Sequence, residues 1–191
     1  MPGAAIISCC ITMQANISPK LREQFSAIKL AIFDVDGVLT DGRIYYSDTG
    51  QESKAFHTQD GAALKMLQST GVQVALITGR ESKMVARRAK ELNISYVYQG
   101  VADKADALQQ LEKQSGINRC LMSHTGDDLA DLVLFRDVSM SISVPGAHPH
   151  MQEAADYVTT TKPGMGAVRE ICHLIMICQE TWSGALERYK E

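Results

Sequence analysis

Ile32-Phe33-Asp34-Val35-Asp36-Gly37-Val38-Leu39-Thr40 is the stretch that decides the fold of this chain. An apolar run ends in two carboxylates two residues apart, followed at once by glycine and a Thr/Asp cluster. Residues 30 to 35 read as a buried strand of a parallel sheet, and open α/β sheets bind ligands outside the C-terminal ends of their strands. Both aspartates therefore fall in a crevice. An unpaired buried carboxylate is costly, so two together imply a cation, a shared proton or a substrate. On these residues alone, a solvated turn with two acids fits as well.

The rest of the chain repeats the strand-then-helix pattern. Arg43 to Phe56 reads as a β-hairpin turning at Ser47-Asp48-Thr49-Gly50, and it interrupts the alternation. Gly61 to Ser69 is helical, with Gly71 closing it. Val72 to Ile77 is a second apolar strand ending in Thr78-Gly79-Arg80. Ser82 to Leu92 is a basic amphipathic helix, Ile94 to Tyr98 a short strand, and Asp103 to Gln114 a helix opened by Lys104. Cys120 to His124 enters Thr125-Gly126-Asp127-Asp128; Val138 to Val144 and Tyr157 to Thr160 are further strands, and Ala167 to Gln179 closes the fold. This alternation specifies a doubly wound parallel sheet with helices on both faces.

At 191 residues and 45% apolar content, the chain builds one domain with a full core. The expected domain spans residues 25–180, with a poorly ordered extension at 1–24, Met13 being an alternative start, and a tail at 181–191. The opening MPGAAIISCCITM lacks the basic region and cleavage site of a secretory signal. No apolar run approaches the roughly 18 residues that span a bilayer. A net charge of -3 gives no footprint for nucleic acid. Five cysteines without a CxxC pair leave no complete disulfide framework, which fits a reducing cytoplasm.

Three strands thus end in chemistry: Asp34 and Asp36 after the first, Thr78-Gly79-Arg80 after the second, and Gly126-Asp127-Asp128 with Asp131 beyond after the fourth. Lys104 opens the helix between them. Carboxylates converging on one sheet edge make a hard, oxygen-rich site suited to Mg²⁺. A hydroxyl, an ammonium and backbone N–H groups are what a phosphoryl group needs around its oxygens. The set is complementary to a phosphate.

In order and residue type these segments resemble the four motifs of the haloacid dehalogenase-like phosphatase superfamily: DxDG[VT], a Thr or Ser closing the second strand, a lysine, and GDDxxD. From about Phe25 to Cys178, DVDGVLTDGRIYYSDTGQESKAFHTQDGAALKML, TGRESKMVARRAKELNI, TGDDLADL and GMGAVREIC resemble the 3-deoxy-D-manno-octulosonate 8-phosphate phosphatase family. The resemblance implies a Rossmann-like, capless fold and a homotetrameric, Mg²⁺-dependent phosphatase of lipopolysaccharide precursor synthesis. Phosphatases of sialic-acid-type 9-phosphates share much of the pattern, as does the catalytically silent phosphatase-like half of some synthetases. Retention of Asp34, Asp36, Lys104 and Asp127 argues against a silent module.

The resemblance also distributes roles. Asp34 is the expected nucleophile and Asp36 the acid–base group, whose backbone carbonyl joins Asp34 and Asp127 on the metal. Thr78 and Lys104 take the phosphate oxygens. Asp128 and Asp131 serve as ligands or hold those ligands, with a helix-surface acid an equal reading for Asp131. Arg80, Arg88 and Lys65 are candidates for the sugar-acid carboxylate, since arginine can hold a carboxylate through two bonds. His57-Thr58-Gln59-Asp60-Gly61 occupies the family's substrate loop, where Thr58-Gln59 replaces the usual Val-Arg; for His57 a plain loop histidine fits as well as a substrate contact. Ser123-His124-Thr125 stands where relatives carry aliphatic and aromatic residues, and His124 reads as a packed residue rather than a ligand. No cap fits between Asp36 and Thr78; the resemblance implies that a neighbouring subunit covers the site, through the hairpin at 43 to 56 and the segment Gly164 to Val168, the alternative being a hairpin packed on its own sheet.

Overall fold

The structure, a computed structural model, describes residues 17–187. Met13 lies outside them, as do Cys9 and Cys10. Helix α1 (Pro19–Ala27) leads into strand β1 (Leu30–Phe33), and a wide turn at Val35–Leu39 passes to a hairpin of β2 (Tyr45–Tyr46) and β3 (Glu52–Ser53). Then follow α2 (Thr58–Ser69), β4 (Gln73–Ile77), α3 (Lys83–Glu91), β5 (Tyr96–Tyr98), α4 (Lys104–Ser115) and β6 (Met122–Thr125). The chain closes with α5 (Leu132–Phe135), β7 (Met140–Ser143), α6 (Pro149–Ala154), β8 (Tyr157–Val158), α7 (Ala167–Cys178) and α8 (Trp182–Glu187).

Six strands form one parallel sheet in the order β5-β4-β1-β6-β7-β8. The strand carrying the aspartates is therefore central, with Phe33 beside Leu76 on one side and Thr125 on the other. Alternation sorts its side chains to two faces. Ala31 and Phe33 join Val74, Leu76 and the apolar stripes of α2 and α7 in one core. Leu30 and Ile32 join Ala75, Ile77 and Met122 against Leu108 and Leu111 of α4. Every residue of β1 is buried, which is why it reads as an unbroken apolar run. The hairpin forms its own two-stranded sheet, with Tyr45 opposite Ser53.

The expected domain limits need correction at both ends. Ser18 accepts the amide of Leu21 as the N-cap of α1, with Pro19 in its first turn, and Phe25 is fully buried. The helix thus begins inside the stretch expected to be a poorly ordered extension. At the other end α8 buries Ala185 and sets the Trp182 ring 4.0 Å from that of His173, so residues 182–187 pack on the domain rather than trailing as a tail.

A second correction concerns residues 57–61. Thr58 to Gly61 are the first turn of α2, not a loop. Asp60 is 1% exposed, and its Oδ1 accepts the amide of Arg169 at 2.8 Å. That amide is the third of α7, whose own N-cap, Gly166, has no side chain to offer it. Asp60 thus acts as an N-cap supplied by another helix. Gly61 faces Arg88, and a Cβ there would overlap the guanidinium in its present position, so the arginine lies over this residue because it is glycine. Asp60→Ala should lower unfolding free energy by about 0.5–2 kcal/mol, the usual cost of a lost N-cap. The check is urea unfolding, where a reduced midpoint at unchanged slope is expected and an unchanged midpoint would remove the capping role.

Candidate active site

The wide turn after β1 places both aspartates. Asp34 continues the strand far enough for its amide to donate to Thr125 O at 2.9 Å. Gly37 then adopts φ 94°, and Thr40 Oγ1 gathers the turn by accepting the amides of Gly37 at 3.3 Å and Gly42 at 3.2 Å. A Cβ on Gly37 would overlap the Asp127 carboxylate, so both backbone angle and space demand glycine.

Lys104, 7% exposed, donates to Asp34 Oδ1 at 2.7 Å and to Asp131 Oδ1 at 2.6 Å. Its helix is fixed at that end by Asp103, which accepts the amide of Ala105 at 2.8 Å. His124, fully buried on β6, brings Nε2 to 2.8 Å from the same Asp131 oxygen. The other Asp131 oxygen takes the Asp128 amide at 3.5 Å, while Asp128 caps the short turn Leu129–Asp131. Asp131 is 1% exposed, which rules out the helix-surface reading. Asp128 is exposed beside it.

Asp34, Asp127 and Asp131 offer oxygens that all lie within 4.8 Å of one another. Burial pushes the Asp127 carboxyl up to about 7, with the Asp131 and Asp128 charges adding to the rise. Burial also raises Asp34, against the pull of Lys104. For Asp131 burial acts upward too, but the His124 hydrogen bond and the Lys104 ammonium outweigh it and hold the carboxyl low. Burial opposes the Lys104 charge, and Asp34 and Asp131 together more than restore it. Three carboxylates face one ammonium. An oxygen-seeking divalent cation fits this donor set and its uncompensated charge.

These groups line a cleft of about 580 Å³ that also includes Asp36, Thr78 and Arg80. Thr78 is held at the end of β4 by its amide, which donates to Tyr98 O at 2.9 Å. Asp36 points toward the hairpin, where Lys54, its side chain wholly buried, donates to Oδ1. Lys54 also stands 3.3 Å from Glu52 Oε1 as an ion pair, Glu52 Oε2 accepts from Arg80 at 3.2 Å, and Arg80 Nε stands 3.8 Å from Asp36 Oδ2. Lys54, Glu52 and His124 were not among the residues singled out for the site from sequence. Lys54 and Glu52 give no local signal, because their partners Asp36 and Arg80 lie just beyond β1 and β4.

The other predicted contacts lie elsewhere. Lys65 is exposed on α2, and Arg88 packs against Gly61 with its guanidinium carbon 6.0 Å from the Phe56 ring. Neither lines the cleft, nor do His57, Thr58, Gln59, Asp60 and Gly61.

The geometry is that of known phosphatases. Residues 97–171 match the haloacid dehalogenase-like hydrolase family. Over 185 residues the chain is 38% identical to the 3-deoxy-D-manno-octulosonate 8-phosphate phosphatase of Yersinia pestis, covering 97% of both chains. It is also 38% identical to the enzyme of that name from Escherichia coli strain K12 over 177 residues, 93% of this chain and 92% of that one. The chain belongs to this phosphatase family. A crystal structure of the Yersinia pestis family member superposes with TM-score 0.86 at 39% identity, over 88% of this chain and 91% of that one. A family member from Moraxella catarrhalis, solved with magnesium, phosphate and KDO, gives 0.85 at 44% identity, over 88% and 97%. The doubly wound, haloacid dehalogenase-like fold is thereby shared across almost the whole chain.

The carboxylate cluster predicts a pH-dependent stability in metal-free protein. Asp127 titrates near 7 when folded and near 3.8 as an ordinary carboxyl, so between these values the folded state holds a proton that the unfolded state has released. Unfolding free energy should therefore fall as pH rises through this window, and the raised Asp34 adds in the same direction. Asp131, held low, contributes stability above the ordinary carboxylate range that is lost only in stronger acid. Chemical denaturation of chelator-treated protein between pH 4.5 and 7.5, with Asp127→Asn flattening the slope, is the check; a slope untouched by that substitution would free Asp127 from the cluster.

Proposed function

We propose that this protein is a magnesium-dependent phosphatase that hydrolyses 3-deoxy-D-manno-octulosonate 8-phosphate to the free sugar acid and phosphate through an aspartyl-phosphate. The observation that carries the reading is the pair Asp34 and Asp36 on one turn, the first held by Lys104 beside Asp127 and the second turned to the hairpin lysine. Relatives named for this reaction cover nearly the whole chain. Asp34 and Asp127, with the Asp36 carbonyl, would hold Mg²⁺. When bound, the ion cancels charge between an anionic nucleophile and an anionic substrate.

Asp34 attacks phosphorus, the bond to the sugar oxygen breaks, and Asp36 delivers a proton to that oxygen. Asp36 then accepts a proton from water as the water attacks the aspartyl-phosphate, releasing phosphate and restoring Asp34. Lys104 and Thr78 hold the non-bridging oxygens, and Lys104 also orients the nucleophile. Lys54 and Arg80 fix the Asp36 carboxylate, so the hairpin sets the direction of proton delivery.

The sugar-acid carboxylate is assigned to Arg80 within the cleft and to Arg88 and Lys65 from a second copy, with His57, Thr58 and Gln59 as further contacts. A homotetramer would allow this division, and the exposed apolar groups Ile44, Tyr45 and Tyr46 near the hairpin and Leu129 and Val133 at the cleft support that reading. Among the described residues no helix is long and apolar enough to cross a membrane, and Cys120, Cys172 and Cys178 are free thiols. We place the enzyme in the cytoplasm, acting in lipopolysaccharide synthesis.

Asp34→Asn should abolish phosphate release while leaving the circular dichroism spectrum intact, because an amide is a poor nucleophile. More than a few per cent residual turnover would remove Asp34 from that role. Chelator should silence the parent and Mg²⁺ restore it, with Ca²⁺ supporting little turnover because its coordination is larger and looser.

Substrate choice is read separately from chemistry. Arg88→Ala should raise KM for 3-deoxy-D-manno-octulosonate 8-phosphate by about ten- to a hundredfold, the worth of a charged hydrogen bond. A small phosphate ester lacking a carboxylate should be little affected, whereas Lys104→Ala should impair both substrates. Equal losses in the Arg88 variant would reject the carboxylate role. Faster release from a sialic-acid-type 9-phosphate would reassign the substrate and leave the chemistry standing.

A further inference from the structure

Behind Asp131 stands a group that the hydrolytic steps do not use. His124 lies in the middle of the sheet on β6, next to Ile32 of β1 and Ser141 of β7, and no part of it meets solvent. Its ring edge approaches the Phe135 ring with centroids 5.9 Å apart. One ring nitrogen, Nε2, lies 2.8 Å from Asp131 Oδ1, and the other, Nδ1, finds no hydrogen-bond partner among the described residues. Full burial of a polar ring with one satisfied and one orphan nitrogen is costly, and apolar side chains of similar size would fill the space without that cost.

We infer that His124 is a positioning residue for the phosphatase site, donating its Nε2–H to Asp131 Oδ1 so that Asp131 holds the Lys104 ammonium in line with Asp34. The inference rests on the phosphatase reading proposed above. It follows from what each atom can offer. Asp131 Oδ1 already accepts from Lys104 at 2.6 Å, and its partner oxygen faces the Asp128 amide at 3.5 Å. An ionised carboxylate brings no proton of its own, so the imidazole must supply the one between them. The tautomer is thereby fixed, and the orphan nitrogen is the unprotonated one.

The consequence is geometric. Asp131 lies within reach of both Asp34 and Asp127, and without a restraint on Oδ1 it is free to turn toward whatever cation those two bind. A carboxylate so turned would leave Lys104 with Asp34 as its one carboxylate partner in the cluster. With His124 in place, the same oxygen takes two donors from opposite elements, β6 and α4, and its direction is set by both. Groups that orient functional carboxylates in this way commonly carry ten- to a hundredfold in activity.

Two substitutions separate positioning from space filling. His124→Phe keeps an aromatic ring against Phe135 and removes the donor, while His124→Gln keeps a side-chain N–H of similar reach. The phenylalanine variant should retain the parent's circular dichroism and lose about ten- to a hundredfold in kcat on a small phosphate ester with Mg²⁺, with a smaller change in KM. The glutamine variant should recover to within a few fold of the parent. Phenylalanine turning over like the parent, or glutamine failing alongside a well-folded phenylalanine variant, would overturn the inference. A second readout needs no turnover and no variant: in ¹⁵N-histidine spectra of the metal-free protein the His124 ring should carry its proton on Nε2. A ring with no proton there would overturn the role whatever the kinetics show. A parent without phosphatase activity would instead overturn the functional reading, with the ring spectrum still deciding the hydrogen bond.

Discussion

Everything at the catalytic edge of this molecule is arranged around one buried ammonium. Lys104 bridges Asp34 and Asp131 at the junction of three elements: the end of β1, the start of α4 and the turn after β6. Removing these charges from water is expensive, and the attraction between them offsets that cost only when geometry is tight and remaining hydrogen-bonding sites are filled. Breaking the set from one side leaves a buried charge without its partner, a loss of about 3–5 kcal/mol in comparable cases. The ion cluster therefore makes the spacing of three sequence-distant segments a condition of folding as well as of chemistry. A phosphate entering the site meets a cation already in place.

That cluster is also the part of the site most legible in sequence. Asp34 sits where an apolar strand ends and Lys104 where a helix begins, points that local pattern finds, while Asp127 and Asp131 stand out in the run Gly126-Asp127-Asp128 with Asp131 beyond. The unbroken run at β1 and the strand-helix alternation specify the parallel sheet, because a strand buried on both faces has no polar alternation to show. Lys54 and Glu52 escape that reading. They belong to a short, polar hairpin whose residues acquire meaning only when the hairpin folds back over Asp36, a tertiary contact with no periodic signature.

Asp60 and Arg88 show the opposite case. Their residue types suggest ligand contacts, and within one copy the fold gives them structural neighbours: Asp60 an amide of α7, Arg88 the surface of Gly61 and the Phe56 ring. A carboxylate or guanidinium in a loop-like segment looks available until its helix partner is known. The same physics accounts for α1 and α8, which are too short to announce themselves by periodicity and are held by Phe25, Trp182 and Ala185 packing against the core. The polar strand β6 is recognised by position, since Ser123 and Thr125 have no strand-forming pattern beyond their place between two turns.

The central place of β1 has a consequence for how the chain is made. Its two neighbours in the sheet are β4, ending at Ile77, and β6, ending at Thr125. A ribosome adding about 5–20 residues per second completes β6 only several seconds after the Leu30–Phe33 strand has emerged. For that interval an apolar strand stands with at least one edge open, in the condition that favours pairing with another chain. The first half of the nascent protein is thus its most association-prone form, and the residues that finally close the edge are the same ones that bring Asp127 and Asp131 to Lys104. Assembly of the catalytic centre and protection of the strand are one event in synthesis.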